Sequence, residues 1–233
     1  MKIAVFFHCT FYIEDRLQPA AASIVQGQMR AMCESGLTEA ASEIHVGVNG
    51  GVESDEMARS LLPSKANLVF HGTTCRNECR TLLLLEAFAK EHASEEWAVC
   101  YHHAKGTTHP LDLIGNAHST SWRQCMERHT IKNWQLCVKA LEEGYDAAGA
   151  HYMTPPATPA GQHIFAGNFF WTTASFLRTL PSLYERERIK MSGIDASESR
   201  YEAEVYLGNG PRPMKVKDFH ENWNPSKIAT CSP

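Results

Sequence analysis

Short apolar runs alternate with amphipathic stretches through the first hundred residues. Residues 2–7, rich in Val, Ile and Phe, predict a strand, and residues 20–33 follow with Ile24, Gln28, Met29 and Met32 at helical spacing. Residues 43–49 predict a second strand closed by the turn signal Asn49-Gly50-Gly51. A short helix over 53–62 and a third strand over 66–70 come next. Residues 78–93 carry four successive leucines, Leu82 to Leu85, and predict a buried helix ahead of a fourth strand at 97–101. Strands joined by helical crossovers predict an α/β fold: one Rossmann-like, doubly wound domain with a mainly parallel sheet, helices on its flanks and right-handed connections.

The second half is less regular. Residues 119–143 predict one long helix with Trp122, Met126, Trp134, Val138 and Leu141 on a stripe, ended by Gly144. A strand over 145–151 precedes a segment with Pro155, Pro156, Thr158, Pro159 and Gly161, which can hold neither helix nor ladder and reads as a mobile loop beside a site. Strand character returns over 163–171, then short helices over 173–180 and 199–207, a last strand over 214–219 and a polar tail.

The fourth strand ends unusually. Trp97-Ala98-Val99-Cys100-Tyr101 runs into His102-His103-Ala104-Lys105-Gly106, polar groups that a core strand does not normally carry. A strand that stops at a glycine delivers its last side chains to the carboxyl-end rim, where open α/β sheets place ligands. His103 and Lys105 are therefore candidates for contact with a phosphorylated ligand, while alternation turns His102 to the opposite face and a structural role.

Composition narrows the classes of function. The 233 residues suit one domain, with 43% hydrophobic and 21% charged residues and a formal net charge of −4. That charge gives no electrostatic case for nucleic acid or an anionic membrane. No apolar run approaches the ~20 residues that cross a bilayer, so no transmembrane segment is expected and a cytoplasmic protein is the expectation. The eight cysteines are scattered without a CxxC pair, Cys75-x-x-x-Cys79 being the tightest spacing, as suits free thiols acting as small hydrophobes. His109, His118, His129, His151 and His163 show no metal-ligand spacing on any single element and read as surface or hydrogen-bonded core residues. GxSxG, P-loop and GxGxxG patterns are absent, which speaks against serine hydrolases, P-loop kinases and ordinary dinucleotide dehydrogenases.

The His-x-Lys-Gly strand end, the tryptophan-bearing helix after it, Gly167-Asn168-Phe169-Phe170-Trp171 followed by Leu180-Pro181, and Arg200-x-x-x-Glu204 together resemble a group of bacterial and viral glycosyltransferases similar to the GT-A type. The resemblance spans residues 1 to 220. It implies a nucleotide-binding half at 1–106, a sugar- and acceptor-binding half at 107–220, and a tail at 221–233. The expected partners are a nucleotide-diphosphate sugar donor and a glycan or glycoconjugate acceptor.

In that fold the strand corresponding to 97–101 ends in an Asp-x-Asp that holds a divalent metal on the diphosphate; here the position reads His103-Ala104-Lys105. Fixed cations or a metal can stabilise the departing diphosphate. The resemblance thus implies either metal-independent transfer or Mn²⁺ or Mg²⁺ held through other groups. It places the nucleotide near Thr10, Phe11, Tyr12, Asn49, Arg76, Asn77 and Arg80, and the sugar near Asn168 and Trp171. Glu204, with Glu202 as the other choice, is the candidate base for the acceptor hydroxyl, and Arg200 a phosphate contact or ion-pair partner of Glu204. Two other classes stay open: a non-catalytic nucleotide-sugar or carbohydrate-binding module, and a metal-dependent hydrolase using some of the twelve histidines.

Overall fold

The structure, a computed structural model, describes residues 1–11, 18–50, 53–72, 78–107, 114–154, 163–183 and 203–220. Its first half follows the predicted alternation: β1 (Lys2–Thr10), α1 (Gln18–Glu34), α2 (Leu37–Ala40), β2 (Glu43–Asn49), α3 (Glu53–Leu61), β3 (Asn67–Gly72), α4 (Cys79–Glu91) and β4 (Trp97–His103). The second half holds α5 (Ile114–Glu127), a π-helical turn (Arg128–Lys132), α6 (Trp134–Glu142), β5 (Ala147–Gly149), β6 (Tyr152–Met153), β7 (Ile164–Phe165), β8 (Phe170–Thr173), α7 (Ala174–Leu177) and β9 (Val216–Asp218).

Seven strands form the central sheet in the order β3-β2-β1-β4-β8-β5-β9, with β6 and β7 paired apart from it. The first four are mutually parallel. β8 runs antiparallel to both β4 and β5, and β9 is parallel to β5. The sheet is mainly parallel and both faces are covered, as expected for strands that read as nearly continuous apolar runs. On β1, Ile3, Val5, Phe7 and Cys9 join the core under α1, α3 and α6. Ala4 and Phe6 join the opposite core under α4 and α7. No helix among the described residues is long and apolar enough to cross a membrane.

Several sequence expectations are corrected. The long helix over 119–143 is three segments. At Asn133 the amide bonds Arg128 O at 3.1 Å, an i+5 step, and the Thr130 carbonyl accepts the Trp171 indole N–H at 2.7 Å. A tertiary donor thus takes a carbonyl that the helix ladder would otherwise use, which is one way such bulges arise. The single strand over 163–171 is instead two short strands split at Gly167 (φ 90°) and Asn168 (φ 57°), where the Asn168 amide closes a turn on Phe165 O at 2.8 Å. Strand spans 145–151 and 214–219 contract to β5 and β9, and 173–180 contracts to α7, whose first turn is capped by Thr173 Oγ1 accepting from Phe176 N at 3.0 Å. Helix over 199–207 is seen from residue 203, followed by a 3-10 turn at Leu207–Asn209.

The strand order decides where a ligand can sit. The chain steps outward from β1 through β2 to β3, then crosses back to place β4 on the other side of β1. The crossovers diverge there, making the carboxyl ends of β1 and β4 the topological switch point, the crevice at which is the usual ligand position in open α/β sheets.

Candidate functional site

At the carboxyl ends of β1 to β4 the apolar runs give way to polar side chains directed towards α4. His8 is buried and its Nδ1 lies 2.8 Å from Thr81 Oγ1, while His71 Nε2 lies 3.1 Å from the same oxygen. One hydroxyl donates one proton, so one imidazole nitrogen accepts from Thr81 and the other donates to it. The arrangement requires a glycine on β2: a Cβ on Gly47 would stand 1.9 Å from Thr81 Oγ1 and 2.5 Å from His71 Nε2. Burial, then the neighbouring His103 and His71, hold the His8 pKa well below its ordinary value. Burial, then Arg80, bring His71 down to about 4. Both imidazoles are therefore neutral hydrogen-bonding groups near pH 7.

Thr10 and Asn49 are register partners on β1 and β2, and both reach His8 Nε2 at 3.4 Å. Arg80, exposed in the first turn of α4, donates to His71 O at 3.2 Å and so lies across the end of β3. On β4, Tyr101 donates to Glu78 at 2.5 Å. His103 Nδ1 lies 3.9 Å from the same carboxylate oxygen and its Nε2 lies 2.9 Å from Gly167 O.

The exit from β4 is fixed from the other face of the sheet. Gln28 donates to His103 O at 3.1 Å and Arg123 donates to Lys105 O at 2.8 Å. Gly106 turns the chain with φ 98°, a conformation glycine adopts without steric cost. Lys105 Nζ stands 4.1 Å from the Trp122 ring centroid, a cation–π contact that holds the ammonium at the rim. His102 points the other way, as alternation predicts: it is fully buried, stacks on Phe7 at 4.7 Å, and burial lowers its pKa to about 3.

The structure brings Thr10 and Asn49 together on His8, sets Arg80 across the end of β3, turns His103 towards Glu78 and the Gly167 turn, and leaves Lys105 against Trp122. It places others elsewhere. Phe11 is 2% exposed and belongs to the core under α1. Trp171, expected at a sugar pocket, is fully buried in the centre of the sheet with its indole bonded to Thr130. Asn168 is 2% exposed and its amide donates to Ala203 O at 3.2 Å. That bond brings the residue before Glu204 onto the turn that His103 also contacts. Glu204 is half-buried at the start of the helical turn after residue 202. Tyr12, Arg76, Asn77, Arg200 and Glu202 lie outside the described residues, as do Cys75 and the 155–161 loop.

Sequence reasoning missed His8, His71, Glu78, Tyr101 and Thr81. For the two histidines the signal was present: each is a polar residue ending an apolar strand, the criterion that singled out His103. A second omission has no local signal. Cys125 on α5, His151 after β5 and His220 after β9 bring one sulfur and two ring nitrogens within 4.8 Å of one another. At the end of β4 the Glu78 carboxylate accepts from Tyr101.

The family described as "Domain of unknown function (DUF8361)" matches residues 6–215. No curated protein matches the chain. Among solved structures, Rv0371c from Mycobacterium tuberculosis H37Rv is similar at 11% identity, covering 94% of this chain and 88% of that one, with a TM-score of 0.43. Its complex with manganese gives the same identity and coverage with a TM-score of 0.38. A 4-diphosphocytidyl-2C-methyl-D-erythritol synthase is 14% identical over 98% of this chain and 95% of that one, with a TM-score of 0.35.

Proposed function

The chain belongs to the family described as a domain of unknown function, DUF8361, and we propose that it transfers a sugar from a nucleoside-diphosphate donor to a hydroxyl acceptor at the β1–β4 rim. The observation that carries this reading is the set of polar side chains at the carboxyl ends of β1 to β4, with His8, Thr10, Asn49 and His71 linked through hydrogen bonds, Arg80 across the end of β3 and Lys105 just beyond β4. The neutral groups and Arg80 suit a base and ribose; Lys105 suits a diphosphate.

In this reading residues 1–106 bind the nucleotide, and residues 107–220 bind the sugar and acceptor. Lys105 holds the diphosphate and His103 hydrogen-bonds it, while Thr10, Asn49 and Arg80 face the base and ribose. As the bond from the anomeric carbon to the phosphate oxygen breaks, charge grows on the leaving group, and a fixed cation stabilises that charge without reorganising. Glu204 takes the proton of the acceptor hydroxyl while its oxygen bonds to the anomeric carbon, with Glu202 the other candidate; Arg200 supports one or the other. Asn168 fixes the Glu204 segment against the Gly167 turn, and Trp171 supports that turn from the core.

The test is release of nucleoside diphosphate from a panel of UDP-, GDP- and dTDP-sugars offered with glycan acceptors. Turnover with one donor, lost in Glu204→Gln with donor affinity retained, is the expected result. Binding without turnover, unaltered by Glu204→Ala, would mark a non-catalytic module instead.

A further inference from the structure

Away from the β1–β4 crevice, the geometry points to a zinc site built from Cys125, His151 and His220, with three protein ligands and a fourth position left for water or a substrate atom. Their donor atoms all lie within 4.8 Å of one another, although 26 and 69 residues separate them along the chain. Tetrahedral zinc with sulfur and nitrogen ligands sets donor-to-donor distances of about 3.3–3.8 Å. Closure around the ion therefore needs side-chain shifts of only about 1 Å.

The donor types select the metal. One thiol and two imidazoles form a soft-to-borderline set that suits zinc and is a poor match for Mg²⁺ or Mn²⁺, which favour carboxylate, carbonyl and water oxygens. Binding deprotonates Cys125: the Zn–S bond forms as the S–H bond breaks, and the proton leaves to solvent.

The ligand-bearing segments are held in place by groups that are not ligands. Asp218 accepts from Tyr152 N at 3.1 Å through one oxygen and from His220 N at 3.0 Å through the other, so one carboxylate bridges the chain beside His151 and the backbone of His220. Phe219 N donates to Gly149 O at 2.9 Å and Ala166 N to His151 O at 2.9 Å. These bonds hold His151 at φ 64°, a left-handed conformation that is uncommon for residues other than glycine and clusters at ligand clamps. The two imidazoles meet edge to face at 4.6 Å, and Trp122 lies 6.5 Å from His151.

The test uses the full chain, stripped with chelator and titrated with Zn²⁺ or Co²⁺ alone; it needs no sugar donor, so its outcome is separate from the transferase reading. One equivalent of zinc is expected. The Co²⁺ form should show thiolate-to-metal charge transfer and the strong d–d bands of tetrahedral coordination. Cys125→Ser, His151→Asn (which tolerates the left-handed backbone) and His220→Asn should each weaken zinc by about 100-fold or more, and Asp218→Asn by about 10–100-fold, the usual cost of an outer-shell change. A folded wild-type chain that binds no stoichiometric zinc, or lacks the thiolate band with Co²⁺, overturns the site whether or not any variant folds. Equal affinity in wild type and all three ligand variants overturns it too.

Discussion

Lys105 and His102 stand three residues apart on β4 and its exit, yet they pose opposite problems for the protein. Lys105 keeps its ammonium at the rim against Trp122. In the proposed donor complex its replacement by alanine removes a charge-assisted contact to the diphosphate worth about 1.5–3 kcal/mol, so donor affinity should fall by at least about 10-fold while the circular dichroism spectrum stays that of wild type. Unchanged donor binding would remove Lys105 from the site. His102 sits wholly in the core, and burial lowers its pKa to about 3. The folded form therefore binds fewer protons than the unfolded chain between about pH 3 and 6.5, and the slope relation makes stability rise with pH across that window. Stability is present above the unfolded value and is lost as the pH falls. His71, lowered to about 4, acts in the same direction. Each such histidine contributes up to about 1.4 kcal/mol per pH unit. Urea titrations at pH 7 and pH 5 should show a smaller acid loss in His102→Leu than in wild type; an equal loss would contradict the assignment.

At the scale of elements, the crossing of β2, β3 and α4 depends on the missing side chain of Gly47. With Thr81 Oγ1 only 1.9 Å from where a Cβ would stand, Gly47→Ala should cost about 1–3 kcal/mol by overpacking and loosen the His8–Thr81–His71 links. A melting temperature within error of wild type would show that α4 moves aside freely. The π-helical turn gives a second case: Trp171→Phe removes the bond to Thr130 O and should destabilise by about 1 kcal/mol or more, measured by denaturant titration. These two elements also explain what could be read in advance. β1 to β4 announce themselves by local runs, and the observed bounds of β2 match the 43–49 expectation. The second half depends on long-range partners. Nothing within residues 119–143 foretells that Trp171 will claim a carbonyl at 130, and a two-residue strand such as β7 has too little local pattern to separate it from β8.

For the whole molecule, the site was visible only where a strand end carried it. His103 and Lys105 stood out as polar groups closing an apolar run, and the same rule applied to His8 and His71 would have found them too. The Cys125, His151 and His220 cluster depends on three elements meeting, which no spacing along the chain encodes. The topology joins these pieces: the outward steps to β3 and the return to β4 put the polar ends of β1 to β4 around one crevice, with β5 and β9 bringing the histidine pair to the same end of the sheet. The central claim is that this crevice binds a nucleoside-diphosphate sugar. Isothermal calorimetry of the wild-type chain with UDP-, GDP- and dTDP-sugars, backed by thermal shift, tests it most directly. One nucleotide class should bind, and at 100 times its Kd it should stabilise the fold by about 2.7 kcal/mol, an effect much reduced in Lys105→Ala. Absence of heat and of any shift for all three classes would contradict it.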